Sequence, residues 1–224
     1  MQLKKWFVIA AALFVLVNSR VARANTMVYL LTSDHCTGGC GTAPFGSVTV
    51  SNNASGGVDF SVALAAGYTW ASTGAGDGMM FKFNGTGVSL SDITVTSTPY
   101  GTENLSAYFK DCLTMANCFN GDGTGNFRFG IGCLPLSDCN GAGQGGQPPY
   151  VGPLTFTVAN ASLADVTGLN NLGQVFVADV LAPNGNTGPV DASTPQPTVP
   201  DGGMTMSLLG MAMAGLGVIA RRRK

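Results

Sequence analysis

The sequence predicts an all-β protein, an antiparallel β-sandwich that is jelly-roll-like and occupies residues 25–182. Two observations predict it. Apolar and polar residues alternate with a period of two, as in residues 58–64, where positions 58, 60, 62 and 64 are apolar. Short segments rich in glycine and asparagine interrupt this alternation. Such segments form tight turns, and short connections favour antiparallel neighbours.

The alternation predicts eight strands, in chain order 27–31, 47–51, 58–64, 79–83, 91–97, 127–131, 154–158 and 174–181. One short helix is expected over residues 104–113, where Leu105 and Tyr108 would share a face. Residues 183–203 are rich in Pro, Gly, Thr and Asn, which predicts a linker after the β-sandwich.

The N-terminal region has the layout of a secretory signal peptide. Two lysines lie within residues 1–5, an apolar run covers residues 6–17, and Ala22 and Ala24 provide the small residues before a cleavage site. We therefore expect residues 1–24 to engage the export machinery and signal peptidase. The alternative is a buried N-terminal helix.

The C-terminal region has an uncharged stretch followed by cations. Residues 204–220 carry no charge, and residues 221–224 are three arginines and a lysine. A stretch of about 17 apolar residues can cross a hydrocarbon core, and clustered cations stay on the cytoplasmic side. The sequence thus predicts a transmembrane helix over 204–220 and a basic cytoplasmic end over 221–224. The alternative to a cleaved tail is a permanent anchor.

A short motif precedes this apolar stretch: Val199, Pro200, Asp201, Gly202 and Gly203. Motif, apolar helix and basic end, in that order, resemble the sorting signals of PEP-CTERM proteins, closest to their Val-Pro-Asp-Ser-Gly type. The resemblance implies that an exosortase, an integral-membrane protease, recognises the motif and removes the tail. Gly202 stands where related motifs often have serine.

The body of the chain also resembles a domain type found in secreted PEP-CTERM proteins, whose biochemical activity is unassigned. The resemblance rests on five segments: residues 34–41, 45–50, 152–156, 176–179 and 185–192. It implies export and surface localisation, and no particular chemistry.

Charge is distributed unevenly along the chain. Residues 25–200 contain three cations and eleven acids, a net charge of −8, although the whole chain carries only −1. An acidic body repels the phosphate backbone, so we expect no nucleic-acid partner. It also favours solubility outside the cell.

Six cysteines lie in the body: Cys36, Cys40, Cys112, Cys118, Cys133 and Cys139. An even number in an exported chain indicates disulfides. Cys112/Cys118 and Cys133/Cys139 share one spacing, and Cys36/Cys40 would close a third small loop, while other pairings stay open. Asp34 and His35 beside Cys36 and Cys40 also allow a zinc site, but an oxidising compartment favours the disulfide.

Two further candidate sites come from side-chain chemistry. His35 is the single histidine, so a Ser-His-Asp or Cys-His nucleophile would have to use it, and no Gly-x-Ser-x-Gly motif is present. Asn120, Asp122 and Thr124 alternate with glycine, like the start of a calcium loop. The twelfth position counted from Asn120 is Ile131, which excludes an EF-hand. A different calcium site and a plain turn are the alternatives, and no other cofactor is expected.

These observations together predict an exported protein of the cell surface or extracellular matrix with no catalytic activity. Its expected partners are the export machinery, an exosortase, the membrane and extracellular polysaccharide. Threonine-rich strands and polar loops leave a carbohydrate- or ice-binding module as the first alternative. A secreted hydrolase that uses two of the scattered aspartates is the second.

Overall fold

The computed structural model describes residues 25–71, 78–97, 105–114, 117–132 and 151–196. The signal peptide, the sorting motif and the apolar stretch 204–220 lie outside these ranges, so their predictions stay predictions. Within the described ranges, no helix has the length and the apolar character needed to cross a membrane.

The described residues form mainly strands, with one short helix, α1 (Leu163–Val166), and a 3₁₀ turn at Leu90–Asp92. The strands are β1 (Thr26–Leu31), β2 (Ser33–Asp34), β3 (Gly46–Asn52), β4 (Val58–Leu64), β5 (Thr69–Trp70), β6 (Met79–Phe83), β7 (Ile93–Val95), β8 (Ser106–Phe109), β9 (Phe119–Gly121), β10 (Gly125–Phe127), β11 (Phe129–Gly132), β12 (Leu154–Val158), β13 (Phe176–Leu181), β14 (Thr187–Ala192) and β15 (Pro195–Gln196).

These strands form two large sheets and a small hairpin. The first sheet has the order β15-β1-β3-β4-β12-β7. The second has the order β2-β14-β13-β6-β11-β8, and β5 also pairs with β13. The pairings are antiparallel throughout the described residues. The prediction of an all-β fold with antiparallel sheets is confirmed.

One hydrophobic core lies between the two sheets. In β4, Val58, Phe60 and Val62 are buried, and Asp59 and Ser61 between them are exposed, as the alternation predicts. Phe60 of β4 stacks on Phe156 of β12 with ring centroids 4.3 Å apart, and it also contacts Phe83 and Phe176 of the second sheet. Aromatic side chains of both sheets thus form a single buried cluster.

A second, smaller core lies on the other face of the second sheet. The β9–β10 hairpin places Phe119 and Phe127 against Val177 of β13 and Met79 of β6. Both faces of this part of the sheet are therefore covered. This explains why β6 and β13 contain buried residues at consecutive positions instead of alternating ones.

The predicted helix over residues 104–113 is wrong. The structure has strand β8 here, and Ser106–Phe109 pairs with β11 along the edge of the second sheet. The helical spacing of Leu105 and Tyr108 is a weak local signal. The backbone of β11 offers hydrogen-bonding partners that satisfy this segment as a strand, so tertiary pairing decides the structure.

The predicted linker is wrong for residues 187–196, which form β14 and β15 in the sheets. β14 pairs with β13 along its whole length and is almost fully buried. A tight turn connects the two strands, and Gly185 adopts a φ of 87° in it. The Pro, Gly and Asn residues that indicated a linker belong partly to this turn.

Candidate functional site

The first candidate site is the loop closed by the Cys36–Cys40 disulfide, and it follows β2 directly. Both carboxylate oxygens of Asp34 accept backbone hydrogen bonds, from the amide of Cys36 at 2.9 Å and from that of Cys40 at 2.8 Å. The Cys112–Cys118 disulfide closes a second short loop. Two of the three expected pairs are thus present, while Cys133 and Cys139 lie outside the described residues.

Several distant segments fasten this loop to the body. The side-chain amides of Asn184 and Asn186 both donate to the carbonyl of Gly39, at 3.0 and 2.7 Å. The Tyr68 hydroxyl donates to the carbonyl of Cys40 at 2.8 Å. A Cβ atom on Gly188 would lie 2.6 Å from the Cα of Cys36, so only glycine fits at this point of β14.

His35 lies beside the loop and contacts two strands of the second sheet. Its Nε2 atom is 2.8 Å from Oδ2 of Asp191 on β14 and 3.1 Å from the hydroxyl of Ser33 on β2. The Asp191 side chain is 2% exposed and that of His35 is 28% exposed. Burial raises the pKa of Asp191, and the neighbouring His35 and Ser33 partly oppose that shift.

The geometry of this cluster differs from that of a catalytic relay. In a Ser-His-Asp triad the serine contacts one nitrogen of the imidazole, which takes its proton, and the carboxylate contacts the other nitrogen, orients the ring and stabilises the imidazolium. Here Ser33 and Asp191 approach the same nitrogen, Nε2. The arrangement joins β2, β14 and the loop. This geometry lacks the opposed contacts by which a triad activates its serine.

The zinc alternative requires thiolates. Ligand atoms of Asp34, Cys36 and Cys40 lie within 4.8 Å of one another. The two sulfurs are bonded to each other, and the Asp34 carboxylate already accepts two backbone amides. Zinc binds deprotonated thiols, so this site is incompatible with the oxidised loop.

The calcium candidates lie at the β9–β10 hairpin. Asn120 and Asp122 are exposed, whereas Thr124 is buried. The Thr124 hydroxyl donates to the carbonyl of Gly121 at 2.7 Å, so it is used within the turn. Asn170 holds this turn from outside, because its side-chain amide donates to the carbonyl of Thr124 at 2.6 Å. Calcium binding at Asn120, Asp122 and Thr124 stays a prediction.

Sequence reasoning missed several polar residues that the fold buries. Asp191 was not connected with His35, since the two lie far apart in sequence and on different strands. Lys82 and Asp179 are also fully buried. The sequence does contain one signal of such burial, a single charged residue inside an otherwise apolar strand, as in Phe81-Lys82-Phe83. A strand of this kind is buried on both faces, so its charged side chain has no exposed face to occupy.

The fold and this site define the class: an all-β protein of two packed antiparallel sheets with short disulfide-closed loops. No family model, no curated protein and no solved structure matches the chain. The particular function of this chain is therefore inferred from its own sequence and structure.

Proposed function

We propose that this chain is an exported protein of the cell surface or extracellular matrix, sorted through its PEP-CTERM-like C-terminal signal and without catalytic activity of its own. The observation that carries the proposal is the pair of short disulfides, Cys36–Cys40 and Cys112–Cys118. Disulfides persist in oxidising compartments and are rare in the cytosol. The signal-peptide layout of residues 1–24 points to the same compartment.

The proposed route has three steps. The export machinery moves the body across the membrane, and signal peptidase cuts after Ala24. Residues 204–220 then hold the chain in the membrane, with residues 221–224 on the cytoplasmic side. An exosortase recognises the motif at 199–203 and releases the body, which folds as a jelly-roll-like β-sandwich and meets extracellular polysaccharide.

The experiment combines cell fractionation with sequencing of both ends of the mature protein in a host that has an exosortase. An N-terminus at Asn25 and loss of the residues after the 199–203 motif are expected. The variant Pro200→Ala should accumulate in the membrane fraction with its tail attached, while the control Thr198→Ala, just outside the motif, should be processed normally. Recovery of the body from the cytosol with reduced cysteines would refute the proposal.

A second candidate function is carbohydrate or ice binding by the outer face of the first sheet. Hydroxyl side chains follow one another across neighbouring strands: Thr49 faces Ser61, Ser61 faces Thr155, and the hydroxyl of Thr96 donates to that of Thr155 at 3.0 Å. These side chains are half-buried or exposed. A surface of this kind offers donors and acceptors to a hydroxyl-rich ligand.

Glycan-array binding and inhibition of ice recrystallisation test this second function. The substitution Ser61→Ala should weaken a genuine interaction, whereas Ser106→Ala, at an exposed serine of the second sheet, should not. Absence of binding in both assays would remove this candidate and leave the sorting proposal intact.

A further inference from the structure

Two oppositely charged side chains are completely buried in the second sheet. Lys82 of β6 and Asp179 of β13 are each 0% exposed. Lysine and aspartate are almost never fully buried unless they are paired, because removing a charge from water is costly. The two residues lie on neighbouring strands, so the first question is whether their side chains lie close enough to interact with each other.

The strand register places both side chains on the same face of the sheet. Lys82 lies directly opposite Val177 of β13. Residues directly opposite each other share a face, and so do residues two apart on one strand, which adds Asp179 to the face of Val177. Lys82 and Asp179 are therefore diagonal neighbours, about 7–8 Å apart at the backbone, a span that a long side chain covers.

The direction of the Lys82 side chain fits this diagonal. Its Nζ atom donates to the carbonyl of Met79 at 3.2 Å, so the side chain extends toward the start of β6. Because β6 and β13 are antiparallel, that direction leads from Val177 toward Asp179 on the neighbouring strand. The amine thus extends toward the part of β13 that carries the carboxyl group.

Apolar side chains cover part of this face of the sheet. Val177 and Met79 belong to the small core beneath the β9–β10 hairpin. On the other side of Lys82, β11 has Gly130, and a Cβ atom there would lie 2.4 Å from Cγ of Met79, so the Met79 side chain fills that space. Burying two charges carries a desolvation cost, and an uncharged amide in their place avoids that cost.

We propose that Nζ of Lys82 and the side-chain carboxyl of Asp179 condense into an intramolecular amide, an isopeptide bond between β6 and β13. The lysine nitrogen forms a bond to Cγ of Asp179, and one carbon–oxygen bond of the carboxyl group breaks. The departing oxygen leaves with two protons as one water molecule, so no oxidant, reductant or co-reactant is needed. This cross-link is separate from the proposed sorting function and does not depend on it.

Among the residues that the structure describes, Asp191 is a competing carboxyl group on the same face, since it lies opposite Val177 on β14. It is one strand further from Lys82 than Asp179 is, and its Oδ2 atom already lies 2.8 Å from His35. Asp179 is therefore the partner, and the variant Asp191→Asn should retain the bond.

Peptide mapping of the purified full-length protein, denatured, reduced and alkylated, tests the proposal. Trypsin cuts after free lysine. Wild-type protein should resist cleavage after Lys82 and yield a branched peptide that joins the β6 and β13 segments, lighter than their sum by one water. Lys82→Met should lose the branched peptide. Lys110→Met changes the other lysine of the body, which is half-buried, and should keep it.

The wild-type map decides the question even if Lys82→Met does not fold. Complete cleavage after Lys82, with both peptides at their unmodified masses, would show an ordinary buried ion pair and overturn the proposal. So would a bond mapped to Asp191. Water loss confined to Asp122-Gly123 and reversed by mild alkaline hydrolysis would identify a cyclic imide of the turn instead, which also overturns it.

Discussion

Removal of the Cys36–Cys40 disulfide should lower the free energy of unfolding by about 2 kcal/mol. The bond spans a sequence separation of 4, and loop-closure entropy for so short a loop gives this magnitude, through the unfolded chain alone. The native loop should persist in the variant Cys36→Ala/Cys40→Ala, because the Asp34 carboxylate and the Tyr68 hydroxyl still hold its backbone.

Urea unfolding followed by the fluorescence of Trp70, which is 1% exposed, measures this change. With a slope of about 2 kcal/mol per molar urea, the midpoint should fall by about 1 M. The matched control is Cys112→Ala/Cys118→Ala, whose bond spans a separation of 6 and should have a similar effect. A loss above about 4 kcal/mol for the first variant alone would mean that the bond holds the native loop together, and the entropic reasoning would be wrong.

Three further predictions concern the main hydrophobic core, the β9–β10 turn and the buried Asp191. Phe60→Ala should cost about 3–5 kcal/mol in urea unfolding, because it removes a buried ring, while Phe109→Ala, at 40% exposure, should cost clearly less; equal losses would contradict the packing argument. Asn170→Ala should expose the β9–β10 turn to limited proteolysis, since this side chain also accepts the amides of Leu172 and Gln174; an unchanged cleavage rate would oppose this. Burial raises the pKa of Asp191 above its ordinary value of 3.8, so its contribution to stability falls as pH rises through that raised pKa. Asp191→Asn should remove this fall in urea titrations at several pH values, and an unaltered pH profile would contradict it.

The strands with clean alternation were predictable from sequence. β4 and β12 have the predicted bounds, since in both each polar residue has solvent on one face to occupy. β6 also has its predicted bounds, although it is buried on both faces and does not alternate. β14 was not predictable, because Gly188 and Pro189 are typical of turns and its burial depends on β13 and on the Cys36 loop. At β8, local propensity predicted a helix, but pairing with β11 supplies the hydrogen bonds of a strand.

The candidate site was predictable only in its local part. The cysteine spacing favoured the two short disulfides that the structure has, although it left other pairings open. The contact between His35 and Asp191 depends on the register between β2 and β14, which no local pattern encodes. The same holds for Lys82 and Asp179, whose relation appears only once β6 and β13 are paired.

The last described strand bears on the proposed sorting step. β15 pairs with β1, so the strands nearest to the two ends of the body lie side by side at one edge of the first sheet. Only two residues separate Gln196 from Val199, and a fully extended chain spans about 3.5 Å per residue. The motif at 199–203 therefore begins within about 10 Å of a folded edge and ends within about 25 Å of it, so the proposed protease would have to approach this edge of the sheet closely.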